Sequence, residues 1–556
     1  MMGRHDQQPA AKGVESRRRY WTWAVLLAVI LFAGGIRVRL RAVPLERDEG
    51  EYAYAGQLIL EGVPPYAQAY NMKMPGIYYA YALLLAVFGQ THNAIHLGLL
   101  VVNVLTALLL FALARRLFGP LVGVAAAGAF ALLSLGQWVQ GIFANAEHFV
   151  ILPALAGILL LLGAVDFRKP LLVLAAAVLL GLAFLMKQHG AAFIVFAGLY
   201  LFISELRHRP LTCKTALADS LLFLVGVLLP FAVICLVLWW SGVFGKFWFW
   251  TFEYARQYVS ALSLSEGLYF FKMQTRRIVG SAVLLWVLAA IGLTSLGWNK
   301  KARGHRLFVM GFLVFSFLAV CPGLYFRPHY FILLLPAVAL LAGLGVASVY
   351  DLFARSRAVL LTRVVPVLLA LIVLFHTLYQ QWNFFFVMSP TKASLTSYPY
   401  HPFPEAMEIA RYIRDHSSGD DLIAVIGSEP QIYFYANRRS ATGHIYTYAL
   451  MEPHPYALRM QQEMIREIES AHPEFLVFVN VASSWLARPD SQKLIFTWFQ
   501  QYQHKYYRLV GVIDVMRPGQ TVYCWGEKAF TYLPKSNHWF RVFRRKNDDR
   551  QNRRDG

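Results

Sequence analysis

The feature that most constrains this chain is the recurrence of long apolar runs through its first two thirds. A helix needs about 20 predominantly apolar residues, roughly 17 at the least, to cross a hydrocarbon core of ~30 Å. Runs of about this length, the shortest of 16 residues, occupy 20–39, 92–114, 120–139, 147–165, 170–186, 190–205, 217–240, 278–297, 306–321, 330–350 and 359–379, which predicts a polytopic α-helical membrane protein of about eleven spanning helices. Composition agrees: 15% of the residues are charged, against ~25% in soluble chains. The first run follows Arg17, Arg18 and Arg19 and has no convincing small-residue cleavage site, so it reads as a retained helix and not a removed signal peptide.

A net charge of +21 raises the possibility of a nucleic-acid partner, but the cations form short clusters between apolar runs instead of one stripe, and nucleic acid is excluded as a partner. The clusters act as topology signals. With a cytoplasmic N-terminus, every cytoplasmic loop is rich in Lys and Arg: Arg115/Arg116, Arg168/Lys169, Arg207/Arg209/Lys214, Lys300/Lys301/Arg303/Arg306 and Arg355/Arg357/Arg363. This orientation places 41–91, 241–277 and everything after about Gln380 outside a plasma (inner) membrane. Within the first loop, IYYAYALLLAVF (77–88) is too short to span and reads as an interfacial helix. The second loop, with FGKFWFWTFEYARQY, mixes aromatic and charged residues as interface-bound segments do.

The expected division is a transmembrane domain over 1–379 and an extracytoplasmic α/β domain over 380–556. After a Pro-rich linker, helices through MEIARYIRDH and EMIREIESA alternate with strands DLIAVIG and FLVFVN, followed by strands RLVGVID and TVYCWG. No GxGxxG or Walker loop follows a strand, so nucleotide binding is not indicated. Cys213, Cys235, Cys321 and Cys524 have no metal-type spacing, though Cys321 and Cys524 fall in the same expected compartment.

The chemistry-bearing residues sit in five sets, all on the expected outer rim. In RDEGEYAYAGQLILEGVPPY, Arg47, Asp48 and Glu49 directly follow the first membrane helix, and Glu51 and Tyr52 share the face of Asp48 if a helix begins there. Taken alone, Asp48 reads as the cap of a surface helix paired with Arg47. Asn145, Glu147 and His148 form a second acidic site at the lip of an apolar run, with Asn145 as an ordinary cap on the bland reading. Lys187, Gln188 and His189 form a tight turn, Lys73 lies in NMKMP, and Arg327, His329 and Tyr330 open a late helix. Lysines at helix ends commonly only snorkel. Together, however, a carboxylate able to take a proton from an acceptor hydroxyl and cations able to neutralise a departing phosphate suit a transfer reaction on a membrane lipid.

The order of these elements over residues 20–350 resembles that of GT-C lipid-dependent glycosyltransferases, specifically the branch of bacterial protein O-mannosyltransferases, lipid A aminoarabinose transferases and related lipopolysaccharide sugar transferases. The resemblance is carried by RDEGEYAYAGQLILEGVPPY, MKMPGIYY, NAEHFVILPA, AFLMKQHG and RPHYFILLLPAVALL. It implies an inverting enzyme that moves a hexose or pentose from a polyprenyl-phosphate-linked sugar to a cell-envelope lipid, glycan or protein on the outer face of the membrane. It further implies Asp48 as general base with Glu49 beside it, Glu147 supporting the site or acceptor, and Lys73, Lys187, His329 and Arg327 on the donor phosphate. Where aminoarabinose transferases carry Glu before the lysine aligned with Lys73, this chain has Met72. A metal bridge through that carboxylate is thereby disfavoured, and no cofactor is expected. The competing reading is a lipid or sugar flippase without transferase activity, but flippases place charges near the midplane and show repeats, neither of which is evident here.

Overall fold

A computed structural model of the chain describes residues 8–207, 213–354 and 364–546. Arg209, Arg355, Arg357, Arg363 and the start of the last expected span lie outside the described residues, as do the side chains of Arg17, Arg18 and Arg19. The chain forms two compact units, the first from Met1–Arg39, Leu97–Val233 and Leu262–Val387, the second from Leu40–His96, Ile234–Ala261 and Met388–Gly556. Thus the first outer-loop segment of the sequence reading and the second as far as Ala261 group with the C-terminal segment, while 262–277 belongs to the first unit.

In the first unit, apolar helices follow the expected runs closely. Among the described residues six helices are long and apolar enough to span: Tyr20–Leu40, His92–Phe118, Ala146–Phe167, Gln188–Arg207, Ala216–Trp240 and Leu335–Ala354. Shorter apolar helices, Pro120–Leu133, Pro170–Met186, Arg306–Leu318 and Val367–Gln380, occupy other expected runs. Proline begins several of them, because at the first helical position its missing N–H is no loss. The run expected at 278–297 is two helices, Leu264–Gly280 and Val283–Trp298, bent by 101°. The bend falls where Ser281 turns its hydroxyl back to the Ile278 carbonyl at 2.8 Å, ending a polar helix before the apolar one starts. Likewise 330–350 starts late: Pro328–Leu333 is a 3₁₀ segment, and the α-helix runs Leu335–Ala354.

The second unit holds a five-stranded sheet of order β1-β2-β5-β3-β4. β1 is Ile423–Ile426, β2 Phe475–Asn480, β3 Tyr507–Arg517, β4 Gln520–Trp525 and β5 Trp539–Arg545. β1 and β2 run parallel, as a crossover through the helix Ala457–Ala471 requires, and the other pairs are antiparallel. The four strands expected from sequence are present. β5 was not expected, since WFRVFRR carries three arginines and lacks clean alternation. It is nonetheless central, and two of the three arginines find acceptors: Arg544 bonds Glu474 at 2.8 Å and Arg545 the His472 carbonyl at 3.0 Å. Cys235, Cys321 and Cys524 are free thiols.

Two early helices of this unit position the acidic motif. Pro75–Phe88, within which the 77–88 segment falls, packs Tyr78 and Tyr81 against Tyr52 of Arg47–Leu60, with ring centroids 6.1 and 5.3 Å apart. A Cβ on Gly56 would lie 2.9 Å from the Ala82 nitrogen, so glycine is what lets these helices approach. Leu83 and Val87 face outward, leaving an apolar stripe.

Candidate active site

The acidic motif begins with a helix start that sequence reasoning misplaced. Glu46, not Asp48, is the N-cap: its carboxylate accepts from the Glu49 N–H at 3.0 Å, and Glu49 accepts from the Glu46 N–H at 3.0 Å. This reciprocal capping box satisfies two otherwise orphaned donors. Arg47 does not pair with Asp48 either. It lies against Glu429 (2.6 Å), the Tyr448 hydroxyl (2.7 Å) and the Ser428 carbonyl, fastening the helix to the segment after β1. Burial opposes the charge on Arg47, but Glu429 outweighs it and raises the guanidinium pKa.

The four neighbouring carboxylates then part company. Glu49 is fully buried and also bonds His96 Nε2 at 2.9 Å. Glu51, 1% exposed, accepts from Asn71 and from the Tyr78 hydroxyl, both at 2.6 Å. Burial raises its pKa to about 7, against the lowering effect of Lys73. Glu46 is buried and raised as well, by desolvation first and then by Asp48 and Glu49. Asp48 alone keeps an opening, its side chain 14% exposed. One oxygen accepts from Lys73 Nζ at 2.7 Å, the other from the Tyr446 hydroxyl at 3.1 Å. Lys73 lies 5.5 Å from the Tyr52 ring, and its backbone carbonyl accepts from Tyr66, a residue held at φ 66°. The local strain of that left-handed tyrosine is of a kind that concentrates at functional sites. Asp48, Glu49, Glu51 and Lys73 are thus brought together. Tyr446 was missed; 398 positions separate it from Asp48, and no local pattern announces it.

In the first unit, Glu147 and Lys187 form a buried ion pair. Lys187 sits 4.2 Å above the Tyr330 ring, which meets His189 edge-on at 4.8 Å and His329 at 5.0 Å. His329 Nδ1 bonds Gln140 Oε1 at 3.1 Å, and His189 Nδ1 donates to the Ala319 carbonyl at 2.7 Å. Three sequence sets therefore converge. Arg327 precedes the 3₁₀ segment, its guanidinium 5.3 Å from the Tyr325 ring. Asn145 stands at the cap position, yet its side chain makes no capping bond. Both its polar atoms, Glu147 Oε2 and His148 Nε2 are buried without a hydrogen-bond partner. Clustered unsatisfied groups of this kind call for an explanation, and a polar ligand or water is the usual one. Gln140, Leu324 and Phe326 hold positive φ of 55°, 57° and 42°, so the segments presenting Glu147 and His329 are themselves strained. Arg37, a further residue missed from sequence, binds the Gly141 and Ser134 carbonyls at 2.8 and 3.0 Å and Asn103 at 3.0 Å; Asn103 in turn meets His148 at 3.2 Å. Among the described residues no group of three His, Cys, Asp or Glu side chains is placed to hold a metal ion.

Comparison with known proteins bears on both clusters. Residues 72–240, from Met72 and Lys73 through Glu147 and Lys187, match the family model of dolichyl-phosphate-mannose-protein mannosyltransferases. No curated protein matches the chain. ArnT from Cupriavidus metallidurans is similar in structure in its apo state, with a TM-score of 0.57 and 17% identity over 91% of this chain and 98% of that one. The same protein bound to undecaprenyl phosphate gives 0.54 and 17% over 90% and 97%. The oligosaccharyltransferase AglB from Archaeoglobus fulgidus, in complex with an inhibitory peptide and a dolichol-phosphate, gives 0.53 and 13% over 93% and 75%. The chain is therefore a multi-pass membrane protein that shares the fold of ArnT and AglB, and its residues 72–240 match the mannosyltransferase family model.

Proposed function

We propose that this protein is an inverting glycosyltransferase that moves a sugar from a polyprenyl-phosphate carrier to a cell-envelope acceptor on the outer face of the plasma membrane. One observation carries the reading. Of the four carboxylates in the acidic motif, Asp48 alone is partly open, and it is held between a lysine and a tyrosine hydroxyl in the arrangement expected of a positioned base. The family match and the polyprenyl and dolichol phosphates bound to proteins of the same fold supply the substrate class.

In this reading Asp48 takes the proton of an acceptor hydroxyl as its oxygen attacks the anomeric carbon. The bond from that carbon to the phosphate oxygen breaks, and polyprenyl phosphate departs. Lys73, released from Asp48 as that carboxylate is protonated, compensates the charge gathering on the phosphate; for Lys187, His329 and Arg327 the donor-phosphate role rests on the motif resemblance. Glu49 keeps the helix start rigid, and Glu147 keeps Lys187 charged and oriented. With Met72 before Lys73, these cations do the neutralising without a divalent metal. The test is release of polyprenyl phosphate from a radiolabelled lipid-linked sugar by the purified protein, with transfer of the label to an envelope extract. Lipid movement across a vesicle bilayer with the sugar still attached would instead establish the flippase reading.

A further inference from the structure

A second charged feature takes no part in the reaction above. The helix Leu264–Gly280 and the bend after it border a cavity of about 680 Å³, lined by Lys272, Arg276, Arg277, Trp138, Ser281 and Gln380 among others. No carboxylate lines it, and none of the three cations has an ion-pair partner among the described residues. Arg277 is held 5.2 Å above the Trp138 ring. Behind it Gln381, bonded to the Gln137 N–H at 2.9 Å, steadies the wall. A helix C-terminus by itself favours a cation in its last turn. That accounts for Arg277 but not for three cations meeting two neutral hydrogen-bonding side chains on one cavity.

The rows along this helix show what kind of anion fits. Leu264, Leu268, Lys272 and Arg276 fall in one row at spacings of four, and the two leucines are exposed at 68% and 49%. Beside it Tyr269, exposed at 63%, leads to Met273 and Arg277. Each row passes from exposed apolar side chains to cations, as interfacial helices do where acyl chains end and headgroups begin. We propose that the cavity binds the phosphate of an anionic membrane lipid, its acyl chains lying along Leu264, Leu268 and Tyr269. Its polar partners are Lys272, Arg276, Arg277 and Gln380, none of which is assigned to the transfer reaction.

The test uses the full-length protein in detergent and measures binding of dihexanoyl phosphatidylglycerol, dihexanoyl phosphatidylcholine and inorganic phosphate. Wild type should prefer the glycerol lipid to the choline lipid. The preference should fall about fivefold for each cation converted to glutamine in Lys272→Gln, Arg276→Gln and Arg277→Gln, following the worth of a cation near an anionic surface. Arg276→Lys with Arg277→Lys should retain it, separating charge from packing. Should the triple glutamine variant not fold, the single Lys272→Gln and Arg276→Gln variants, at exposed positions, carry the same readout. Equal binding of the two lipids, or a preference that survives loss of the cations, overturns the site. Inorganic phosphate binding as tightly as the glycerol lipid overturns the lipid assignment.

Discussion

At Asp48 the reaction reading becomes a measurement. Asp48→Asn keeps the shape of the side chain and its bond from Tyr446 but cannot take a proton, so turnover should fall by a factor of ~100 to 10,000 with donor binding nearly intact. Glu49→Gln should be milder, since Glu49 is occupied by the capping box and His96. Near wild-type turnover of Asp48→Asn at saturating donor and acceptor would pass the base role to Glu49 or Glu147. Lys73→Ala or Lys187→Ala should each weaken donor binding by about 1.5–3 kcal/mol for a lost charge-assisted contact, measured by titration with the lipid-linked donor. Glu51 makes a pH prediction. Its pKa in the fold, about 7, lies above the ordinary 4.5, so the fold favours its neutral form. The stability it contributes is complete below 4.5 and is lost as pH rises through about 7. Thermal unfolding of Glu51→Gln should therefore vary less than wild type across that window; equal slopes would show that Glu51 does not titrate there.

At the scale of the element, the helix Arg47–Leu60 matters because it carries Asp48 and is fastened at both ends of its first turn. Gly50 is where it touches the helix Gln431–Ala436: a Cβ there would stand 2.6 Å from Gln431 Cβ and 2.7 Å from its nitrogen. Gly50→Ala should destabilise by about 1–3 kcal/mol through overpacking against backbone, and should displace Asp48 from Tyr446, lowering turnover with it. A variant with unaltered melting and unaltered turnover would show that the contact yields freely. Glu46→Ala removes only the cap and should cost about 0.5–2 kcal/mol.

At the scale of the whole molecule, the odd number of spans expected from a cytoplasmic N-terminus leads to an outward C-terminus. A reporter active only in the cytoplasm, fused after Gly556, should be silent. Activity there would mean a miscounted span, and the bent pair Leu264–Gly280 and Val283–Trp298 is the first place to look. Metal independence is testable at the same scale: transfer should persist after chelation, because Met72 precedes Lys73 and offers no carboxylate to bridge a metal.

Membrane character, helix positions and the four regular strands were legible in the sequence because each rests on local periodicity and length, which are properties of consecutive residues. The acidic motif and its lysines were legible as candidates for the same reason, since ionisable groups at the ends of apolar runs stand out against their neighbours. Which carboxylate remains open was not legible. Asp48 and Glu49 are adjacent, and only the folded chain, by turning Glu49 onto its own helix start and His96 while offering Asp48 to Lys73 and Tyr446, separates them. The same holds for β5, whose arginines hide a central strand until Glu474 and the His472 carbonyl accept two of them. Local pattern decides what an element is; the partner that satisfies a buried charge comes from another element, 25 residues away for Asp48 with Lys73 and 382 for Arg47 with Glu429, and tertiary structure alone supplies it.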